Sequence, residues 1–175
     1  MKEVEIMVTY YIQKQLLSAN VRTTIKDNAG KPEFLLVGRW GLKGDSLSVY
    51  DMAGEALATV KPNNFAFSSQ FDFFVHHQKV GTMNRLFPIL KDIYYIRWLK
   101  WLVVGDSLEG VYEVYHIHQK KMSITTIGNL YKIEIMDQED IPLCLCLASV
   151  LDYWANHYVS KKTIDERKNL NFEFS

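Results

Sequence analysis

The stretch from Ile141 to Leu151 constrains the fold more than any other part of the chain. It reads I-P-L-C-L-C-L-A-S-V-L and carries no charge. A surface helix has a polar face, so a helix without one must be buried on all sides. The run is also too short to span a bilayer, which takes about 20 apolar residues. Because many strand-like segments precede it, we expect strands wrapped around a helix near residues 141–157.

The composition is that of one globular domain. The chain has 175 residues, and we predict a single domain over 1–159 followed by a charged tail or edge strand over 160–175. Aromatic residues make up 13% of the chain, which favours strands. Lys plus Arg and Asp plus Glu both number 20, so the formal net charge is zero. A general nucleic-acid binder is basic, so we expect no nucleic acid among the partners.

The two cysteines of the sequence, Cys144 and Cys146, both fall in the apolar run. Two residues apart on a helix, they point to different sides and cannot bond to each other. We interpret them as core residues in a reducing compartment rather than as a nucleophile or redox pair. The N-terminal M-K-E-V-E lacks the apolar block of a signal peptide, and no segment qualifies as transmembrane. We therefore predict a cytoplasmic location, either free or peripheral at the inner membrane face.

Strand and turn signals alternate along the chain. The period of two from Val4 to Ile12 predicts a strand with one buried face. Hairpins are predicted around the turn residues 27–30, 51–54 and 76–78. Further strands are predicted over 94–104, 110–116, 122–127 and 131–136. Many short strands joined by close turns are typical of an antiparallel barrel or sandwich.

A weak internal repeat accompanies this pattern. Val49-Tyr50-Asp51 recurs 65 positions later as Val114-Tyr115-His116. Two interpretations stay open at this point. Hairpins resemble one another, or the barrel is built from pseudo-repeated β-units.

Two blocks of sequence resemble a known family. The stretch 37–61 (V-G-R-W-G-L-K-G-D-S-L-S-V-Y-D-M-A-G-E-A-L-A-T-V-K) is similar to the first block of bacterial LURP-one-related proteins, in the tubby C-terminal-like group. The stretch 104–155 is similar to the second block, with Y-E-V-Y, then Y-K-I-E-I, an acidic turn and the apolar helix. The resemblance implies a closed antiparallel barrel of about twelve strands threaded by a hydrophobic helix. Tubby domains bind phosphoinositides, but their basic ligand residues have no counterparts that can be matched here.

Several polar groups are candidates for a metal, catalytic or cation site. His116 and His118, two apart on a predicted strand, would share a face and could ligate a metal, but no third ligand has suitable spacing. Asp45 and Asp106 each follow a glycine and are interpreted as turn residues. The acidic run 137–140 fits a helix N-terminus better than a cation site. No catalytic, nucleotide or dinucleotide motif is present, so we predict no cofactor, no metal and no enzymatic activity.

The segment 85–100 (R-L-F-P-I-L-K-D-I-Y-Y-I-R-W-L-K) interleaves basic and aromatic residues. Basic side chains attract anionic head groups, and Trp and Tyr favour the membrane interface. The alternative is a buried strand pair with solvated ends. On the first interpretation, the residues that contact anionic lipid or a protein partner are Arg85, Arg97, Lys100, Lys120 and Lys121.

These observations favour a non-enzymatic binding or scaffold domain that recognises an anionic phospholipid or a protein. A second hypothesis is an enzyme or small-ligand carrier with a site at a barrel mouth, although a helix in the lumen leaves little room for a cavity. A third is a structural or oligomeric role, with the aromatic segment or the tail at a contact between copies; the sequence leaves the oligomeric state open.

Overall fold

The computed structural model of the protein describes residues 7–14, 20–39, 44–63, 70–87 and 92–153. Twelve antiparallel strands in these ranges form a closed barrel, in which β1 and β12 pair and complete the ring. The predicted fold class is therefore confirmed. The strands are β1 Val8–Gln13, β2 Asn20–Asp27, β3 Pro32–Arg39, β4 Leu47–Asp51, β5 Ala56–Pro62, β6 Gln70–Val75, β7 Gln78–Phe87, β8 Asp92–Arg97, β9 Trp101–Asp106, β10 Val111–His116, β11 Gln119–Ile127 and β12 Leu130–Ile135.

Side chains alternate between the interior and the outer wall along the strands, as the pleat requires. In β12, for example, Tyr131, Ile133 and Ile135 are buried, whereas Lys132 and Glu134 between them are only half-buried. The same period of two is what made the strands recognisable in the sequence. It gives the barrel an apolar inner wall, which other apolar side chains must cover.

The apolar run 141–151 provides the side chains that cover this wall. Helix α1 occupies residues 141–153 and follows a short 3-10 turn, Gln138–Asp140. Leu145, Leu147 and Val150 point in different directions around the helix, and each has no accessible surface. They share one hydrophobic core with the inward side chains of the strands. Full burial of each such side chain contributes about 1.5–3 kcal/mol, so α1 and the barrel wall stabilise each other.

The two thiols lie inside this core, as predicted. Burial raises the pKa of Cys144 well above its ordinary value. Burial also raises the pKa of Cys146 to about 12, although a hydrogen bond from the backbone of Val49 lowers it in part. Both cysteines are free and buried. The predicted extension of the helix to 157, the domain boundary at 159 and the tail over 160–175 lie outside the described residues.

One predicted strand proved to be two. The apolar and aromatic stretch over 94–104 was predicted as a single strand, but a turn at Trp98–Lys100 separates β8 from β9. The backbone there enters the left-handed region, with φ of +75° at Trp98 and +55° at Lys100. Such turns usually carry Gly or Asn, and neither is present in this stretch. The sequence therefore gave no turn signal where the structure has one.

The internal repeat has a geometrical counterpart. The β4–β5 and β10–β11 pairings both shift register between equivalent residues, at Val49/Tyr50 and at Val114/Tyr115. These two hairpins lie six strands apart in a ring of twelve, so the repeat relates opposite sides of the barrel. Similar shifts occur in the β2–β3 and β6–β7 pairings. A bulge near the turn adds the twist that a closed sheet needs, so hairpin geometry also accounts for the likeness.

Candidate functional site

Three neighbouring turns at one end of the barrel form the surface of interest. Successive antiparallel strands place their turns alternately at the two ends, so the β6–β7, β8–β9 and β10–β11 turns share one end. The pairing of His116 with Trp101 brings the last two turns side by side. We call this group the tip surface. It comprises His76, His77, Arg97, Trp98, Lys100, His116, Ile117 and His118.

The backbone of these turns is unusual. Among the described residues, every non-glycine with positive φ lies here: His76 (+45°), His77 (+67°), Trp98 (+75°), Lys100 (+55°) and Ile117 (+57°). Left-handed conformations are uncommon for bulky residues and are a clear outlier for a β-branched one such as Ile117. Each costs on the order of 1–3 kcal/mol relative to an unstrained backbone. Gly or Asn would serve folding better at these positions.

Two of these strained residues present large apolar side chains to solvent. Trp98 is 62% exposed and Ile117 is 69% exposed. The ammonium of Lys79 lies 5.3 Å from the centroid of the Trp98 ring, which is within cation–π range. Exposure of a Trp and an Ile on adjacent turns costs hydration free energy in the free protein. Burial against a partner would recover it.

The cations near the turns fall into two classes. Two are held by carboxylates: Lys79 by Asp72 at 2.8 Å, and Lys120 by Glu113. Hydrogen bonds from Lys120 and from Tyr115 lower the pKa of Glu113 below its ordinary value. Arg97 and Lys100, in contrast, are exposed, and no described carboxylate forms an ion pair with either. These two therefore offer their charges to an outside group.

Lys121 makes ion pairs within the fold and does not belong to the tip surface. Its ammonium binds Asp137 and also Asp140, the latter at 3.1 Å. Burial lowers its pKa, but the hydrogen bonds to the two carboxylates outweigh burial and raise the pKa overall. These two ion pairs, which we call the helix clasp, join β11 to the segment that leads into α1. The acidic run was expected to cap the helix, but the side chain of Asp137 makes no cap hydrogen bond.

Arg85 lies away from the tip surface. It sits seven residues along β7 from Gln78, roughly 23 Å at 3.3 Å per residue. Its guanidinium binds Asp92 at 2.7 Å, and both side chains are largely buried. Asp92 also accepts a hydrogen bond from the backbone N–H of Ser107 at 2.7 Å. The pair therefore locks β7, β8 and the β9–β10 turn together.

The five residues predicted to contact a ligand are thus divided by the structure. Arg97 and Lys100 lie on the tip surface, and Lys120 is the second residue of the neighbouring strand β11 rather than part of a turn. Arg85 and Lys121 make partly or largely buried ion pairs. Contact of any of the five with lipid or a partner stays a prediction.

The structure also shows where the remaining candidate residues from the sequence lie. His118 lies in the turn after β10, so it does not share a strand face with His116 as predicted. Within the described ranges, no group of three or more His, Cys, Asp or Glu residues could hold a metal ion. Asp106 accepts hydrogen bonds from the backbone N–H groups of Leu108 and Glu109, which confirms it as a turn residue.

Comparison with known proteins agrees with this architecture. The family model described as LURP-one-related matches residues 8–152. The chain belongs to the LURP-one-related family. The uncharacterized protein YxjI of Bacillus subtilis (strain 168) is 22% identical over 150 residues, which cover 83% of this chain and 93% of YxjI.

A solved structure shows the same fold. The X-ray structure of a protein from Arabidopsis thaliana superimposes with a TM-score of 0.60 at 16% identity, covering 85% of this chain and 91% of the plant chain. The resemblance inferred from the sequence is thereby confirmed. At the level of the family, membership and fold support a binding domain. In the part of the chain that the structure describes, no helix is long and apolar enough to cross a membrane.

Proposed function

We propose that this protein is a non-enzymatic domain that docks reversibly on anionic membrane surfaces through its tip surface. The observation that carries the proposal is the combination of Trp98 and Ile117, both highly exposed on strained turns, with the exposed cations Arg97 and Lys100. Trp favours the interface between head groups and acyl chains, and basic residues favour anionic head groups. The predicted contact set of five residues is narrowed to Arg97 and Lys100, with Lys120 at its edge.

The expected affinity is modest. Each cation near an anionic surface contributes about 1 kcal/mol, and each inserted large apolar side chain contributes about 1.5–3 kcal/mol at full burial. After an association cost of at least about 4 kcal/mol, a net of up to about 4 kcal/mol corresponds to a Kd of about 1 mM or weaker in accessible lipid. Such a contact is reversible. The domain would move between solution and membrane.

The location follows from the same proposal. Two free buried thiols suit a reducing compartment, which favours the cytoplasm. The cytoplasmic leaflet also carries the anionic lipids that attract basic residues. We therefore place the domain at the inner face of the membrane when it is bound.

The rival hypothesis of a small-ligand carrier needs a pocket. The barrel interior is occupied by α1, whose residues Leu145 and Leu147 have no accessible surface. A depression lined by residues 8–10 and 27–29 is open to solvent, and Asp27 is the one charged residue in its lining. Of these two surfaces among the described residues, the tip surface is therefore the better candidate for recognition.

Vesicle co-sedimentation tests the proposal. The wild-type protein should sediment with phosphatidylcholine vesicles in which a third of the lipid is phosphatidylglycerol, and far less with phosphatidylcholine alone. The variants Trp98→Ala/Ile117→Ala and Arg97→Gln/Lys100→Gln should each bind at least about tenfold more weakly, a loss of about 1.4 kcal/mol or more. Equal and negligible sedimentation of wild type with both vesicles would refute the proposal.

A matched control comes from the opposite end of the barrel. Leu108 and Ile127 are 58% and 52% exposed, so they resemble Trp98 and Ile117 in exposure but lie at the other set of turns. The variant Leu108→Ala/Ile127→Ala should bind vesicles like wild type. Equal losses in both double variants would mean that general hydrophobicity, not the tip surface, drives sedimentation.

A further inference from the structure

One side of the barrel is apolar on the outside as well as on the inside. Along β8, β9 and β10 the outward positions alternate with buried ones, and the strand pairings set them beside one another in rows. We call this set the outer apolar face; it consists of Ile93, Tyr95, Leu102, Val104, Val111 and Tyr115. Glu113 lies among them on β10, where its carboxylate pairs with Lys120 and accepts a hydrogen bond from the Tyr115 hydroxyl at 2.7 Å. The centre of the face therefore carries no unmatched charge.

Exposed apolar residues are concentrated on and around this face. Among the described residues, nine large apolar side chains are exposed, and six of the nine lie on β7–β10 or in the turns at the ends of these strands. The six are Leu86, Trp98, Leu102, Leu108, Val111 and Ile117. The outward residues of β11 and β12 differ in kind, because they include Ser123, Thr125, Lys132 and Glu134. Since monomeric soluble proteins rarely expose a large contiguous apolar patch, the outer apolar face is suited to contact with a partner.

The two ends of the face carry opposite charges. Arg97 and Lys100 lie at the tip end, Asp106 and Glu109 lie at the opposite end, and all four residues are exposed. Within the described residues, none of the four forms an ion pair. Lys100 and Asp106 are six positions apart on β9 and the turn before it, so the charged ends are separated by about 20 Å at 3.3 Å per residue. The face is thus apolar in the middle, positive at one end and negative at the other.

We propose that two copies of this chain pair through their outer apolar faces. A closed contact between identical faces has a two-fold axis, which lies in the interface when the faces meet front to front. An axis that crosses the strands at the level of Val103 sets the cations of each copy against the carboxylates of the other. An axis along the strands would set Arg97 and Lys100 against their own copies, which like-charge repulsion disfavours. The charges therefore select the first arrangement, in which the two tip surfaces lie at opposite ends of the dimer.

The size of the face predicts a weak dimer. Four strands at 4.8 Å spacing, each six residues long, cover about 19 Å by 20 Å, or about 400 Å² on each copy. The exposed side chains of Trp98 and Leu108 border the face at its two ends and add to this area. Specific stable interfaces bury about 1,200–2,000 Å² in total, and smaller ones are typical of transient contacts. We expect a Kd on the order of 0.1 mM, so the chain is monomeric at the low micromolar concentrations of a vesicle assay.

Sedimentation equilibrium of the full chain between about 5 μM and about 1 mM tests the proposal, because this range brackets the expected Kd. The mean mass should rise from 20.4 kDa towards twice that value. In Leu102→Glu the new carboxylates of the two copies meet close to the axis, so the Kd should rise at least about tenfold. The matched control is Leu35→Glu, which places the same charge on the outside of β3, six strands away around the ring, and should associate like wild type. Should Leu102→Glu fail to fold, as circular dichroism would show, Val111→Glu takes its place.

Charge variants and salt test the arrangement of the two copies. Arg97→Gln/Lys100→Gln and Glu109→Gln should each raise the Kd of the dimer, and so should an increase of NaCl from about 50 mM to about 500 mM. If like ends met instead, removing these charges or screening them would lower the Kd.

The outcomes decide both parts of the proposal. A wild type that stays monomeric at about 1 mM overturns it, and so does a dimer that Leu102→Glu and Val111→Glu leave intact, since another surface would then pair. A Kd that falls in Arg97→Gln/Lys100→Gln overturns the arrangement. A monomeric wild type whose vesicle binding is lost in Leu102→Glu would assign the face to lipid and not to a second copy. Vesicle binding by the tip surface is measured far below the expected Kd, so failure of that proposal and failure of this one are recognised separately.

Discussion

Replacing Arg85 with Met should destabilise the protein strongly without changing how the folded protein binds membranes. Asp92 is only 7% exposed, and its carboxylate receives the guanidinium at 2.7 Å and the N–H of Ser107 at 2.7 Å. Removal of the guanidinium leaves a buried carboxylate without its counter-charge. Loss of one partner of such a pair costs about 3–5 kcal/mol, a large part of the 5–15 kcal/mol by which domains are typically stable.

A double variant sharpens this prediction. In Arg85→Met/Asp92→Leu no unpaired charge remains, and replacing both members of a buried pair by apolar residues is often close to neutral. Some cost persists, because the N–H of Ser107 loses its acceptor at about 1–3 kcal/mol, and the hydroxyl of Tyr94 loses a longer hydrogen bond of 3.4 Å to the same carboxylate. The double variant should therefore be more stable than Arg85→Met alone. The surface variant Arg97→Met should change the free energy of unfolding by less than about 0.5 kcal/mol.

Urea denaturation followed by circular dichroism gives the free energies. With an m value of about 2 kcal/mol/M, Arg85→Met should lower the midpoint by about 2 M. Vesicle binding, measured where the variant is folded, should match wild type. The reasoning is refuted if Arg85→Met is as stable as wild type, or if the folded variant loses binding to anionic vesicles. The second result would return Arg85 to the contact surface.

Further predictions address the core and the helix clasp. Leu147→Ala should lower the free energy of unfolding by about 2–5 kcal/mol in urea titrations, whereas Leu147→Asp should prevent folding; a well-folded Leu147→Asp protein would show that α1 is not central. Cys144 and Cys146 should resist thiol reagents in the native protein at pH 8 and react on unfolding, and rapid native labelling would contradict the burial of α1. Lys121→Met should destabilise the protein by about 1–3 kcal/mol and leave vesicle binding unchanged, since its two carboxylate partners lose a shared cation.

The barrel could be predicted because the sequence patterns that indicate it depend on residues close together in the chain or on the burial of apolar side chains. Alternation along strands such as β12 and the uncharged run 141–151 both report the same requirement, an apolar wall around an apolar filling. The Asp27 and Asp51 turns were also visible, and both carboxylates accept backbone N–H groups two and four residues on. Turns of this kind can be predicted from residue type alone.

The site was only half predictable. Arg97, Trp98 and Lys100 stood out in the basic and aromatic segment 85–100, but Trp98 was predicted within a strand. Ile117, just after the predicted strand 110–116, was not singled out. Large aromatic and β-branched side chains ordinarily fill strands, so their exposure on left-handed turns had no sequence signal.

The sequence did not reveal the buried ion pair of Arg85 for a different reason. Its partner Asp92 is seven residues away, and the two meet through the irregular pairing of β7 with β8, which shifts register between Arg85 and Phe87. A register set by a bulge in a closed sheet is a tertiary property. It could not be inferred from the order of residues.

The most direct test of the account follows the fluorescence of Trp98 itself on membrane binding. Anionic vesicles containing brominated acyl chains quench a tryptophan that reaches the interface. Wild type should show a blue shift and bromine-dependent quenching that are absent from Trp98→Phe, while that variant still sediments with the vesicles. Trp101, which is buried in the core, should not respond. If wild type binds the vesicles without any change in emission, or if Trp98→Phe is quenched equally, the membrane contact is not made by the tip surface.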